Sequence, residues 1–90
     1  MLEGKVKIIN QLGLHARAAA QLVRLASSFK SKIQLSRTDT NVQAEAKSIL
    51  SVLTLAAAKG TVLELKVEGE DEEKAFRAVE EIFTNGFGEL

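Results

Sequence analysis

Ninety residues suit one small domain, and the chain is expected to act as a single unit over residues 1–90. With no cysteine and one histidine there is no disulfide framework, no thiolate metal site and too few nitrogen ligands for a zinc centre, so neither metal nor cofactor is expected. Twelve basic and twelve acidic side chains cancel, no apolar run reaches the length of a membrane span and no signal-peptide pattern opens the chain, which points to a soluble cytoplasmic protein without membrane insertion.

Leu2, Val6 and Ile8 alternate with Lys5 and Lys7, the period of a half-buried strand. Asn10 to Gly13 reads as a loop. From Ala16 to about Ser28 the period becomes helical: Ala19, Leu22, Val23 and Ala26 share one face, Arg17, Gln21, Arg24 and Ser28 the other. Ile33 and Leu35 open a second strand, and Arg37 to Asn41 is rich in turn formers. Val42, Ala44 and Ala46 alternate with Gln43 and Glu45 as the returning strand of a hairpin. Lys47 to about Ala57 is apolar and helix-prone, with Ile49, Val52, Leu53 and Ala56 on one face and Gly60 as its stop. Leu63, Leu65 and Val67 alternate with Glu64, Lys66 and Glu68 in a fourth strand. Glu70 to Glu73 place negative charge in the first turn of a last helix, where the helix dipole favours it. Ala75, Val79, Ile82 and Phe83 supply its buried stripe, and Asn85-Gly86 its left-handed stop. The order β-α-β-β-α-β-α, with one apolar face per strand and one apolar stripe per helix, predicts an α+β fold. One four-stranded antiparallel sheet carries all three helices on a single face.

The zero net charge hides an asymmetry. Residues 1–63 carry nine basic and three acidic side chains, residues 64–90 three basic and nine acidic. Two solvated faces would produce this, and so would a basic docking surface for acidic partners. The absence of Tyr and Trp and the scatter of the basic residues disfavour nucleic acid as a partner.

The single histidine, His15, stands immediately before a run of helix formers, where Ser, Thr or Asp is the usual cap. If the helix starts at Ala16, the first-turn N–H groups lack intrahelical partners and form a ready anion site. The positive helix end favours a neutral ring, whose lone pair is a nucleophile. Arg17, with a planar fork suited to phosphate oxygens, follows two residues later. An accidental histidine cap beside a solvated arginine is the competing reading of a lone His-x-Arg. Leu14, Ile49, Leu50 and Leu53 are expected to form an apolar patch beside His15, rimmed by Arg24, Lys47 and Arg17. The alternative is that Ile49 and Leu53 face the core. Ser48 is a good N-cap for the helix beginning near Ile49.

The segments LGLHAR at 12–17, AKSIL followed by VLTLAAAKGT within 46–61, and EGEDEEKA at 68–75 are similar to the histidine-containing phosphocarrier (HPr) proteins of the bacterial phosphotransferase system. The likeness runs from about Asn10 to Glu89. It implies an open-faced β-sandwich and a carrier without independent turnover. That carrier accepts a phosphoryl group on His15 Nδ1 from enzyme I, originally from phosphoenolpyruvate, and passes it to the IIA domains of sugar permeases. It further implies that Arg17 stabilises the phosphoryl group, that the amides of Ala16 and Arg17 belong to the site, and that Ser48 is a target of an HPr kinase/phosphorylase. The family usually carries proline where this chain has Ala18, and methionine and glycine are common where it has Leu50 and Ser51. A carrier of a regulatory phosphotransfer branch fits the same residues. A small-molecule or RNA-binding module with a dispensable His15 fits the element order alone. Nothing in the sequence signals strong self-association, so a monomer is expected.

Overall fold

A computed structural model describes residues 1–90. Apolar alternation becomes strands β1 (Leu2–Lys7), β2 (Lys32–Arg37), β3 (Val42–Glu45) and β4 (Val62–Glu68). The helical periods become α1 (Ala16–Ser27), α2 (Ile49–Thr54) and α3 (Glu72–Thr84), and a 3-10 turn over Gly86–Gly88 follows α3. The strands form one sheet in the order β1-β4-β2-β3 with every neighbouring pair antiparallel, as the element order predicts.

Register explains the layering. Leu35 lies opposite both Leu65 and Ala44, Ile33 opposite Val67, and Val6 opposite Leu63. These side chains share one face, because alternate residues of a strand point the same way. They merge with Ala18, Ala19, Leu22 and Ala26 of α1, Val52 of α2, and Ala75, Val79 and Phe83 of α3 into one buried cluster. The other face carries Lys66 opposite Glu3 and Gln34, and Glu64 opposite Lys5 and Ser36, and stays wet. Gly4 in β1 leaves room for the Phe76 ring of α3, since a Cβ there would come within 2.6 Å of the ring edge.

Two local expectations change. The second helix spans six residues, not Lys47 to Ala57. Ser48 caps its start, accepting the Ser51 N–H at 3.3 Å. At the other end Arg37 donates through Nη1 to the carbonyls of Leu55 and Ala56 at 3.0 and 2.9 Å, and Ala56 turns to φ 47°. A side chain from β2 therefore satisfies the helix C-terminus before Gly60 is reached. In so short a helix one row of residues faces the core, and it is Val52, continued by Leu55; Ile49, Leu53 and Ala56 lie at the surface. At the end of α3, Gly86 does take the left-handed conformation, φ 57°, but the chain continues into a 3-10 turn that periodicity did not signal.

Asp71 ties the start of α3 to the loop leaving α1. Its carboxylate accepts the Ser31 hydroxyl at 2.5 Å and the N–H groups of Ser31 and Lys30 at 2.9 Å each. The Ser31 hydroxyl, followed by the Lys30 N–H, pulls the Asp71 carboxyl down to about 2. A carboxyl depressed by folding stabilises the fold above its unfolded value of about 3.8, and that contribution is lost as pH falls towards 2. Asp71→Asn is therefore expected to lower the melting temperature at neutral pH and to flatten the fall in stability between about pH 4 and 2, both read by circular dichroism melts. An unchanged acid limb would contradict this role.

Candidate functional site

The site begins where β1 ends. Beyond the strand, Ile8 still exchanges hydrogen bonds with Gly60 and Thr61, at 2.7 and 2.9 Å. The chain then turns tightly. The Gly13 N–H donates to the Asn10 carbonyl at 3.2 Å, and Asn10 Nδ2 donates back to the Gly13 carbonyl at 2.9 Å. Gly13 has φ 68°, and a Cβ there would sit 2.5 Å from the Ala57 carbonyl oxygen. That same oxygen accepts the Leu14 N–H at 2.9 Å. Leu14 itself is 5% exposed and belongs to the core. The expectation that Leu14 joins a surface patch is thus corrected: its side chain anchors the loop from inside.

His15 emerges from this anchor as the N-cap of α1, extended at φ −73° and ψ 177°, with its carbonyl accepting the Ala19 N–H at 2.8 Å. The ring makes no capping hydrogen bond. The N–H groups of Ala16, Arg17 and Ala18 have no partner within the chain. Together they are the anion-binding end expected of an uncapped helix. Ala18, where the family usually has proline, adds one donor to that set. Arg17 is exposed and makes no hydrogen bond or ion pair, so its guanidinium is free to meet an anion.

The ring is half-buried, with its side chain 24% exposed. Nε2 lies 2.5 Å from Oε2 of Glu89, which the turn after α3 carries back over the site. Oε1 of Glu89 accepts from Asn10 Nδ2 at 2.9 Å. These bonds, Asn10 first and His15 second, hold the Glu89 carboxyl below the usual carboxylate range, and the charge of Arg17 adds to the effect. Neither Glu89 nor Asn10 is visible as a site residue in the sequence. One follows the last helix and the other lies in a loop, so no period relates them to His15.

The remaining residues spread along α1 and α2. The Ala57 carbonyl meets Leu14 just before α1, while Lys47 Nζ reaches the Phe29 carbonyl just beyond its other end at 2.8 Å. The 47–57 segment therefore runs back along α1. This places Ser48 towards the C-terminal end of that helix, away from His15. Arg24 lies two turns beyond Arg17 on the exposed side of α1. Leu50 is 74% exposed, with Ile49 and Leu53 less so. Leu12, exposed in the loop before His15, is an apolar surface residue that the sequence reading missed, because an isolated loop leucine carries no pattern.

An open antiparallel sheet covered on one face by helices, with an imidazole and a free arginine at an uncapped helix start, defines a small carrier of phosphoryl groups. The comparisons agree. The family described as the PTS HPr component phosphorylation site matches residues 2–85. The chain is 46% identical over 89 residues to the phosphocarrier protein HPr of Neisseria meningitidis serogroup A, covering 99% of this chain and 98% of that protein. It is 42% identical over 84 residues to the phosphocarrier protein NPr of Escherichia coli, covering 93% and 92%. The crystal structure of HPr-C-His from Thermoanaerobacter tengcongensis superposes with a TM-score of 0.93 at 40% identity, covering 100% of this chain and 99% of that one. The chain belongs to the HPr phosphocarrier family of the bacterial phosphotransferase system. No helix in it is long and apolar enough to cross a membrane.

Gly13→Ala is expected to cost roughly 2–4 kcal/mol in urea unfolding, from an alanine forced to positive φ and from the clash with the Ala57 carbonyl. The displaced loop moves His15, so the geometry of the helix start is lost along with stability. A change below about 0.5 kcal/mol, the range of an ordinary surface substitution, would show that the loop does not set the site.

Proposed function

We propose that His15 is the phosphoryl acceptor, modified on Nδ1 by phosphorylated enzyme I and relieved of the group by the IIA domains of sugar permeases. The observation that carries this reading is a histidine at the start of α1 whose ring leaves the N–H groups of Ala16, Arg17 and Ala18 open. An incoming phosphoryl group finds backbone donors on one side and the Arg17 guanidinium on the other. Phosphoryl transfer needs in-line positioning and charge stabilisation more than covalent assistance. The protein acts as a single-domain cytoplasmic monomer that moves the group between partners and turns over no substrate of its own.

Arg17 and Arg24 on α1, Lys47, and the apolar side chains of Ile49, Leu50, Leu53 and Leu12 form the docking surface. An apolar centre with a basic rim suits a partner with acidic residues around an apolar patch. Ser48 is the site of regulatory phosphorylation by an HPr kinase/phosphorylase. Its hydroxyl already occupies the N-cap of α2, where a phosphate meets the positive helix end and leaves the fold intact. The added charge falls beside Ile49 and Leu50 and repels an acidic partner.

Incubation with enzyme I, magnesium and phosphoenolpyruvate is expected to add one phosphate that is stable in base and lost in acid, detected by mass spectrometry. His15→Ala abolishes it without changing the circular dichroism spectrum. Label retained in His15→Ala would remove the proposal, and so would a wild-type chain that never accepts the group. With an HPr kinase and ATP, label is expected at Ser48 and is absent from Ser48→Ala. An unlabelled wild-type chain would remove the regulatory role alone.

A further inference from the structure

Outside the residues already given roles, one polar arrangement is too well built to be incidental. Asn10 is fully buried, and its Nδ2 donates both to the Gly13 carbonyl and to Glu89 Oε1, at 2.9 Å each. Both neighbours are acceptors, so the amide can take only this orientation. The reverse would set an oxygen against a carbonyl and a carboxylate. Its Oδ1 is left without a partner. A buried, unpaired oxygen is costly, and the chain tolerates it while using both amide hydrogens to hold the loop and Glu89.

The approach of Glu89 is equally constrained. After α3, Gly86, Phe87 and Gly88 all have positive φ, 57°, 57° and 75°. A phenylalanine in the left-handed region is unfavourable by itself. Phe87 is held there by burial and by an edge-on contact with Phe83, ring centres 5.0 Å apart. This turn aims Glu89 at His15.

We propose that Glu89 is a positioning residue for phosphoryl transfer: it holds the Nε2 hydrogen of His15 and so leaves Nδ1 as the nitrogen that attacks phosphorus. An ionised carboxylate only accepts, so a ring nitrogen 2.5 Å from Oε2 must carry a hydrogen. In the neutral ring the single lone pair then lies on Nδ1. During transfer the Nδ1 lone pair forms the bond to phosphorus, the bond from phosphorus to the donor's atom breaks, and that electron pair stays with the donor. His15 loses no proton. The ring becomes cationic, and the Glu89 carboxylate lies against the charge as it develops. The same charge keeps the phosphorylated nitrogen a good leaving group for the next partner.

This proposal rests on His15 being the acceptor, and the two fail differently. The test compares the wild-type protein with Glu89→Ala and Glu89→Gln at neutral pH. In the wild type, nitrogen-15 NMR of the imidazole is expected to show an exchange-protected, downfield Nε2–H. Glu89→Ala loses that signal, and its maximal rate of phosphorylation by enzyme I falls about tenfold, the scale of one charge-assisted hydrogen bond. The KM for this protein stays unchanged, since the docking surface is untouched. Glu89→Gln keeps a contact to the ring but places a second donor against Asn10 Nδ2 or gives up that bond, so its rate falls in between. Unaltered transfer in Glu89→Ala overturns the positioning role, and so does a protected Nε2–H that persists without Glu89. If the wild type itself takes no phosphate on His15, it is the carrier reading that fails. Circular dichroism melts of each variant confirm that the comparison is made on folded protein.

Discussion

The site depends on three backbone donors that the chain leaves unsatisfied, the N–H groups of Ala16, Arg17 and Ala18. A serine, threonine or aspartate at position 15 would cap the helix and occupy one of them, with a gain of about 1 kcal/mol. His15 forgoes that gain because its ring makes no capping bond and engages Glu89 through Nε2 instead. The fold absorbs the loss through the anchor before it, where Leu14 is in the core and its N–H is bound to the Ala57 carbonyl. An uncapped helix start survives here because the preceding residue cannot move.

Rigidity at that point is inherited from α1. Four of its residues are fully buried, and three of these are alanines, which let the helix lie close to the sheet. A helix held over its whole length keeps its first turn in place, and the open donors stay aimed at one point in space. No deep pocket is needed, because the group being moved carries its own charge and must leave again. Backbone donors and an exposed arginine hold such a group without enclosing it.

The fold also sorts the charges. Arg17 and Arg24 lie along the exposed side of α1, whereas Glu70, Glu72 and Glu73 surround the start of α3. Glu89 is the exception: it comes from the acidic third of the chain and is returned to the basic site. One carboxylate there is compatible with an anionic group because it engages the far nitrogen of the ring. Its charge is also shared with Asn10 and offset by Arg17. In the proposed relay the carboxylate and the arriving phosphoryl group occupy opposite nitrogens of one imidazole.

Periods of two and of three to four residues are local properties, so the four strands, the long helices and the sheet's single apolar face were readable from residues such as Ile33, Leu35, Leu65 and Val79. The place of His15 and Arg17 at a helix start was readable for the same reason, since a helix start is declared by its neighbours in the chain. What no local pattern carries is a contact between distant segments. Arg37 ending α2, Leu14 turning inward onto the Ala57 loop, and Glu89 closing on His15 each join residues far apart in sequence. The sequence by itself determined which elements form and where the single histidine stands. Only the tertiary structure decided which ring nitrogen is free, because that follows from a carboxylate brought back by a turn whose direction is set by the burial of Phe87.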